Sequence, residues 1–332
     1  MRLLVAANRF LSCNHFNSGI IRTMEINSQI KQMVETGGAE QSKELERALN
    51  ELQINYRISG QRLELQDSLE LLDETKLLSG ISGEANASIS KLEVLWSVGS
   101  TNTYLLGRSK RPDFHGSVCT SEQQTAGKGR RGRNWVSPFA RNVYVSIGWS
   151  IPKEEMADAL SLYVGMNLVD CLRNAGLKGV EMKWPNDVIV GGGKLAGILI
   201  ELDLAADKAH VVIGIGVNLA LDLGARADIG QPVSVVSDQK RIGRNALCSS
   251  IVDQMILSLC GFTHQRVSEK LAEWSKYDCL AGAEVEVHLG SERIIGINRG
   301  VDGRGNLLVE VGSDLQSFSS GEVSLRRSSV AK

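Results

Sequence analysis

Apolar positions along this chain change their period three times. In the segment SKELERALNELQ, Leu45, Ala48, Leu49 and Leu52 recur at i, i+3, i+4 and i+7, which predicts a helix with one apolar face. Ile54, Tyr56 and Ile58 then alternate with polar residues, Ser59, Gly60 and Gln61 make a turn, and Leu63 and Leu65 alternate again, which predicts a two-stranded hairpin. The apolar start of the chain, with Leu3 to Ala7 too short for a signal-peptide core, reads as a first helix. Residues 1–80 therefore have the layout of a winged helix-turn-helix, with Gly37-Gly38 as a turn ahead of the helix that carries Lys43 and Arg47. The stretch from Ser79 to Ser90, rich in Gly, Ser and Asn, reads as a linker.

From there strands and helices mix. Leu92 to Ser97, Asn142 to Trp149, Ile189 to Val190, Ala196 to Leu202 and Val211 to Ile215 read as strands, and Ala157 to Asn174 and Leu247 to Phe262 as helices, giving an α/β domain over residues 81–278. Ile151-Pro152, ahead of Glu154-Glu155, reads as a helix start. From residue 279 to 332 short strands joined at Gly290, Gly303 and Gly305 predict a small all-β domain.

Composition narrows the classes. The chain has 332 residues, 42% of them hydrophobic, enough for two or three cores, and a net charge of −1 places any affinity for polyanions in a local patch. Residues 1–80 hold nine Lys and Arg against eleven Asp and Glu, which is not the basic stripe of a DNA reader, so a supporting or dimerising role stands beside DNA binding. Six cysteines without C-x-x-C spacing argue against a zinc site or a disulfide scaffold and fit a reducing cytoplasm. No apolar run reaches the ~18 residues of a membrane span.

The local patch is SEQQTAGKGRRGR, Ser121 to Arg133, read as one turn-prone stretch. Gly127, Gly129 and Gly132 permit close backbone approach, and Lys128, Arg130, Arg131 and Arg133 offer charge to phosphate or carboxylate. Its G-x-G-x-x-G spacing is not a Rossmann turn, because cations stand between the glycines and no acidic residue closes a strand about 20 positions on. A Walker A loop is excluded by the lack of a following Lys-Ser or Lys-Thr. A solvated basic loop is the plain alternative.

Four further segments carry polar chemistry. Ser100, Thr101 and Asn102 follow a strand end, where they line a polar pocket, cap a helix, or do both. Lys183-Trp184-Pro185-Asn186-Asp187 is a proline-stiffened turn. Lys194 opens an otherwise apolar strand between glycines, facing solvent or a site, and Asn218 is an amide at the end of the apolar run Gly214-Ile-Gly-Val, where burial demands partners.

In this order and spacing, STN, GKGRRGR-x-W, KWPND, GKLAGILIE and GIGVN resemble the biotin protein ligases, specifically the bacterial bifunctional ligase and biotin-operon repressor family. NRGVDGRGNLLVE and GEVSLR extend the resemblance to the C-terminus. It implies an α/β catalytic domain of the biotin/lipoate ligase, class II synthetase-like fold, a C-terminal SH3-like β-barrel, and a winged helix-turn-helix ahead of them. It implies ATP-dependent activation of biotin to biotinyl-5′-AMP and transfer to a lysine of the biotin carboxyl carrier protein, with magnesium, a homodimer in the adenylate-bound state, and operator DNA as a further partner. By the same resemblance Ser100, Thr101, Asn102, Gln124, Gly127, Arg130, Lys194 and Gly197 would meet biotin. Lys128, Arg130, Arg131, Arg133, Trp135, Asn186, Asn218 and Arg326 would meet the nucleotide. Lys194, Arg130, Asp187 and Lys183 would serve catalysis, with Asp187 as a magnesium site, and the glycine-arginine loop would close as a lid over the adenylate. The chain departs from the family at Lys128, where arginine is usual, and in its recognition helix. A ligase without DNA binding, or a lipoate or octanoate ligase of the same fold, are the alternatives.

Overall fold

The computed structural model describes residues 24–156, 158–221, 226, 229–290, 292–320 and 323–327. The expected first helix at the N-terminus lies outside them. The chain divides into two compact units, one up to Leu71 together with Pro138–Ala140, the other Leu72–Ser137 with Arg141 onward.

In the first unit, helix α1 (24–36) ends at Gly37, whose φ of +82° turns the chain into strand β1 (Gly38–Glu40). Helix α2 (Lys43–Glu51) follows, its N-terminus capped by the Ser42 hydroxyl, which accepts from the Leu45 amide, and it buries Leu45 and Leu49 as the periodicity predicts. Strands β2 (Tyr56–Ser59) and β3 (Arg62–Leu65) form the expected hairpin around Gly60, and β1 adds to it in the order β1-β3-β2. Gly38 is thus a strand residue rather than the second half of a turn. A Cβ there would lie 2.7 Å from the Leu63 carbonyl oxygen.

The second unit opens with helices α3 (Glu74–Ser79) and α4 (Gly83–Asn86). The expected boundary at residue 80 and the unit boundary after Leu71 differ by α3, whose Leu77 carbonyl accepts from the Ser249 hydroxyl. The stretch expected as a linker is packed: Ile81 and Ala85 are buried, and Ser82 and Asp73 cap the two short helices.

Seven strands form a mixed sheet: β4 (Lys91–Val98), β5 (Ser117–Gln124), β6 (Val143–Pro152), β7 (Val180–Lys183), β8 (Asp187–Val190), β9 (Gly193–Leu204) and β10 (Lys208–Val217), in the order β4-β5-β6-β10-β9-β8-β7. Only β4 and β5 pair in parallel. Helix α5 (Thr101–Leu106) lies against β5, β6, β9 and β10, and helices α6 (Leu160–Asn174) and α7 (Arg244–Cys260) pack with the main core. Two expectations are corrected. Ser121–Gln124 belongs to β5 rather than to a loop, because Glu122 and Gln124 find partners in Arg244 and Thr101. Ile151-Pro152 ends β6 and leads into a single 3₁₀ turn, Lys153–Glu155, since β6 keeps pairing with β10 as far as Pro152; helix α6 begins only at Leu160.

Alternation along the central strands decides where a site can form. Val143, Val145, Ile147 and Trp149 of β6, and Val211, Ile213, Ile215 and Val217 of β10, all enter the large core. The intervening Ser146, Gly148, Gly214 and Gly216 belong to the opposite face, the one α5 covers, where a side chain added at Gly214 would meet Asn102. Gly214 and Gly216 leave room on that face, which Val212 shares with Leu105 of α5. Beyond a further helix (His264–Leu271), β11 (Glu284–Leu289), β12 (Glu292–Val301), β13 (Leu307–Val311), β14 (Asp314–Phe318) and β15 (Val323–Arg327) make a five-stranded antiparallel sheet in the order β14-β13-β12-β11-β15. Among the described residues no helix is long and apolar enough to cross a membrane, and five cysteines are free thiols.

Candidate active site

The site is a cleft, partly open to solvent, on the face of the sheet that α5 covers. Ser100 occupies the N-cap position of α5, but its hydroxyl caps nothing, which leaves it available to the cleft. The Thr101 amide and hydroxyl donate to Gln124 Oε1 at 3.0 and 3.2 Å, and Gln124 Nε2 donates to Ser137 Oγ at 3.0 Å. Asn102 donates to the Leu199 carbonyl at 3.1 Å and to Glu201 Oε2 at 3.0 Å, while Ser146 Oγ lies 2.6 Å from its Oδ1. These three α5 residues are nearly fully buried, and their polar groups form one connected floor.

Opposite stands a cationic wall. The Lys194 ammonium is 2.6 Å from Asp187 Oδ1 and 5.2 Å from the centre of the Trp135 ring. Lys194 is held from its backbone too: its N–H donates to Pro232, and its carbonyl accepts from Asn218 Nδ2 at 3.1 Å. The Arg130 guanidinium donates to Asn186 Oδ1 at 3.2 Å and to the Ser320 carbonyl beyond β14. Burial lowers the Arg130 pKa from its ordinary value, with Asp187 opposing the shift and Arg131 adding to it.

The glycine-arginine segment is a closed hairpin. Lys128 pairs with Asn134, the Gly129 N–H donates to Arg133 O at 2.7 Å, and a 3₁₀ turn at Arg130–Gly132 forms the tip. Arg131, at φ +58°, and Gly132, at φ +71°, take the left-handed conformation that the turn requires. Lys128 reaches Glu201 Oε1 at 3.7 Å, and the Gly127 carbonyl accepts from the Trp135 N–H. Trp135 lies on a glycine platform: a Cβ at Gly216 would come within 2.5 Å of its ring, and one at Gly197 within 3.0 Å. Its indole N–H is buried without a hydrogen-bond partner.

Ser100, Thr101, Asn102, Gln124, Lys128, Arg130, Trp135, Asn186, Lys194 and Gly197 all line this cleft. Asp187 reaches it through Lys194, and Asn218 supports it through the Lys194 backbone. Lys183, across from Asp187 in the β7–β8 hairpin, Arg131 and Arg133, both exposed, and Arg326, exposed on β15, are not among its lining residues. Lys43 and Arg47 are exposed on α2, where Arg47 is paired with Glu51 at 2.8 Å.

Sequence reasoning passed over Ser146, Glu201, Asn142, Glu122 and Arg244. Ser146 and Glu201 are single polar residues inside apolar strands, the same signal that flagged Asn218. Asn142 Oδ1 accepts from the Leu219 N–H at 2.9 Å, and its Nδ2 is 3.5 Å from Asn218 Oδ1. Arg244, 2% exposed, pairs with Glu122, 3% exposed, and donates to the carbonyls of Asn142 and Ser121.

Residues 94–218 match the Biotin/lipoate A/B protein ligase family, and residues 281–326 match the Biotin protein ligase C terminal domain. The chain is 34% identical over 274 residues to the bifunctional ligase/repressor BirA of Escherichia coli, covering 82% of this chain and 83% of that one. It is 30% identical over 275 residues to the biotin--[acetyl-CoA-carboxylase] ligase of Mycobacterium tuberculosis, covering 76% and 95%. Among solved structures, biotin protein ligase from Aquifex aeolicus in complex with biotin and ATP superposes with a TM-score of 0.61 at 26% identity, over 72% of this chain and 99% of that one. The fold is that of the biotin/lipoate protein ligases. The matched C-terminal domain and the relatives narrow this further, and the chain belongs to the biotin protein ligase family.

Proposed function

We propose that this enzyme activates biotin with ATP and transfers it to a lysine of the biotin carboxyl carrier protein of acetyl-CoA carboxylase. One observation carries the reading: a floor of Thr101, Asn102 and Gln124 and a wall of Lys194 and Arg130 share one cleft. Biotin's carboxylate attacks the α-phosphorus of ATP, the bond to the β-phosphate oxygen breaks, and pyrophosphate leaves. The acceptor lysine then attacks the mixed anhydride, loses a proton and displaces AMP. Negative charge gathers where carboxylate meets phosphate, and fixed cations stabilise it there. Lys194 is placed to exchange Asp187 for that charge, which leaves Asp187 to receive the proton of the incoming amine. Arg130, tied to Asn186 and Ser320, holds the hairpin closed over the adenylate and keeps water from the anhydride. Trp135 offers a ring face and an unused N–H to adenine, with Lys128, Arg131, Arg133 and Arg326 as more distant phosphate partners.

Asp187 is engaged by Lys194, and among the described residues no group of three His, Cys, Asp or Glu is placed to hold a metal ion. These residues do not fit a protein-held magnesium; an ion would arrive on the phosphates of ATP. Transfer of labelled biotin to a carrier domain, with lipoate as competitor, tests the assignment. Transfer of lipoate in preference to biotin refutes it and favours the lipoate ligase alternative.

A second role rests on the first unit. The succession α1, β1, α2 and the β2–β3 wing supports a winged helix-turn-helix over residues 1–80, followed by catalytic and SH3-like domains at 81–278 and 279–332, and relatives bear the name ligase/repressor. Against DNA binding, α2 presents Glu44, Glu46 and Glu51 beside Lys43 and Arg47. A gel shift on a palindromic operator, with and without biotin and ATP, decides between a ligase and a ligase that also represses as an adenylate-bound homodimer in the cytoplasm. Absence of salt-sensitive retardation excludes the repressor role.

A further inference from the structure

The hydrogen-bond inventory of the cleft floor shows which atoms remain for a ligand. Both amide hydrogens of Asn102 are used, one on the Leu199 carbonyl at 3.1 Å and one on Glu201 Oε2 at 3.0 Å. Its Oδ1 takes Ser146 Oγ at 2.6 Å and keeps a second lone pair. The Thr101 hydroxyl hydrogen goes to Gln124 Oε1 at 3.2 Å, Ser146 Oγ lies 2.7 Å from the Thr101 oxygen and shares its one hydrogen between that oxygen and Asn102 Oδ1, and Gln124 Nε2 gives one hydrogen to Ser137. The Asn102 amide therefore has both donors spent, while its oxygen and that of Thr101, sharing one Ser146 hydrogen, keep lone pairs for a ligand. A ring that carries N–H groups, such as a cyclic urea, satisfies those oxygens; a dithiolane has no N–H to give.

That polarity depends on which way the Asn102 amide points. If flipped, its oxygen would face the Leu199 carbonyl and the Glu201 carboxylate, two acceptors with no hydrogen between them. Ser146, a hydroxyl, tolerates either orientation, so it does not choose. Glu201 is acceptor-only as a carboxylate, and its other oxygen lies 3.7 Å from the Lys128 ammonium, which helps hold the side chain in place. Gly214 leaves the room: a Cβ there would lie 2.1 Å from Asn102 Oδ1.

We propose that Glu201 is a specificity-determining positioning residue, which locks the Asn102 amide so that the cleft presents acceptors to a cyclic urea and disfavours acyl substrates without N–H donors. The inference rests on the proposed biotin activation and concerns the same cleft. Pyrophosphate release is measured against biotin and ATP separately in the full-length protein. Failure of the wild type to release pyrophosphate with biotin overturns the activity itself, whereas a working wild type tests Glu201 alone. In Glu201→Gln the side chain is isosteric but offers donors as well as acceptors, so only the Leu199 carbonyl still disfavours the flipped amide. The biotin KM then rises about 10-fold or more, the scale of one hydrogen bond to a charged group. The ATP KM and kcat stay within about threefold, because the one nucleotide-side contact weakened, to the half-exposed Lys128 at 3.7 Å, is a long surface pair.

The double variant Asn102→Asp with Glu201→Gln reverses the direction of the bond: the new amide donates to a carboxylate that can only accept. It should restore the biotin KM at least about 10-fold relative to Asn102→Asp alone, in which two carboxylates face each other. A Glu201→Gln biotin KM within about twofold of wild type, or an equal rise in both KM values, overturns the proposal. Should Glu201→Gln fail to fold, the pair of Asn102→Asp variants decides it, and lack of restoration overturns it.

Discussion

Replacing Arg244 with methionine tests whether the buried pair beneath the cleft holds the catalytic unit together. Arg244 is 2% exposed and Glu122 is 3% exposed. The substitution removes the guanidinium from the Glu122 carboxylate, from the Asn142 carbonyl it meets at 2.7 Å and from the Ser121 carbonyl at 3.2 Å. Removing one member of a buried ion pair costs roughly 3–5 kcal/mol, because the remaining charge is left buried and uncompensated. Each carbonyl left without its donor adds up to about 1–3 kcal/mol, less where water enters. Because the Leu72 amide still donates to Glu122 Oε1 at 2.6 Å and offsets part of the remaining charge, the expected total stays near the lower end of that sum, about 4 kcal/mol, a large share of the 5–15 kcal/mol that typically holds a domain together. All five tryptophans lie in the second unit, so their fluorescence during urea denaturation reads this unit and not the first. Glu122→Gln combined with Arg244→Met removes both charges and should recover about 2 kcal/mol of the single-variant loss. A single variant within about 1 kcal/mol of wild type, or a double variant less stable than the single, would refute the reasoning.

Three further outcomes are expected. Lys194→Ala should slow pyrophosphate release about 10²-fold or more, the scale of one well-placed charge stabiliser; a near-wild-type rate would remove Lys194 from the reaction. Gly216→Ala places a Cβ 2.5 Å from Trp135, so the ring must shift, and the ATP KM should rise about 10-fold, within the 1–3 kcal/mol typical of overpacking; an unchanged ATP KM in a folded variant would show that the glycine platform is not needed. Burial raises the Asp278 carboxyl above its ordinary 3.8, against hydrogen bonds from Leu280, Asn298 and Trp274. The folded state thus binds that proton more tightly than the unfolded state, and the stability it contributes is full below 3.8 and lost as pH rises through the raised value. Urea midpoints of wild type relative to Asp278→Asn should therefore fall as pH rises through this window, and a constant difference would contradict the shift.

How far the fold could be read from the sequence depended on how local each signal was. The α2 face, the β2–β3 hairpin and the cores of β4, β6, β9 and β10 follow from apolar periods a few residues long. β5 did not, because Ser121-Glu122-Gln123-Gln124 has no apolar alternation. Glu122 is buried only because Arg244 arrives from α7, a pairing no local window contains. The helix expected at Ile151-Pro152 failed for the same reason, since the pairing of Pro152 with Lys208 prolongs β6. Within the cleft, motif spacing marked Lys194, Arg130, Trp135 and the α5 polar triplet. It could not show that Lys183 stays outside the lining, because Asp187, its cross-strand partner, is the one that meets Lys194.

The glycine-arginine segment draws attention by its charge, yet within the fold much of that charge is already engaged. Lys128 faces Glu201, Arg130 is shared between Asn186 and the Ser320 carbonyl, and Lys194 rests on Asp187. A cation already paired gains less from an incoming anion than a free one, so retention of the proposed adenylate would not come from these charges alone. On the proposed function the remainder comes from shape. Gly197 and Gly216 withhold the side chains that would displace Trp135, and Gly214 withholds the one that would displace Asn102. All three sit in strands whose alternate residues are buried core, so the same period that fixes the sheet also clears a floor for two flat groups. Charge at the hairpin and missing side chains on the sheet are therefore two halves of one site, and a substitution that refilled the floor would disable it with every cation still in place.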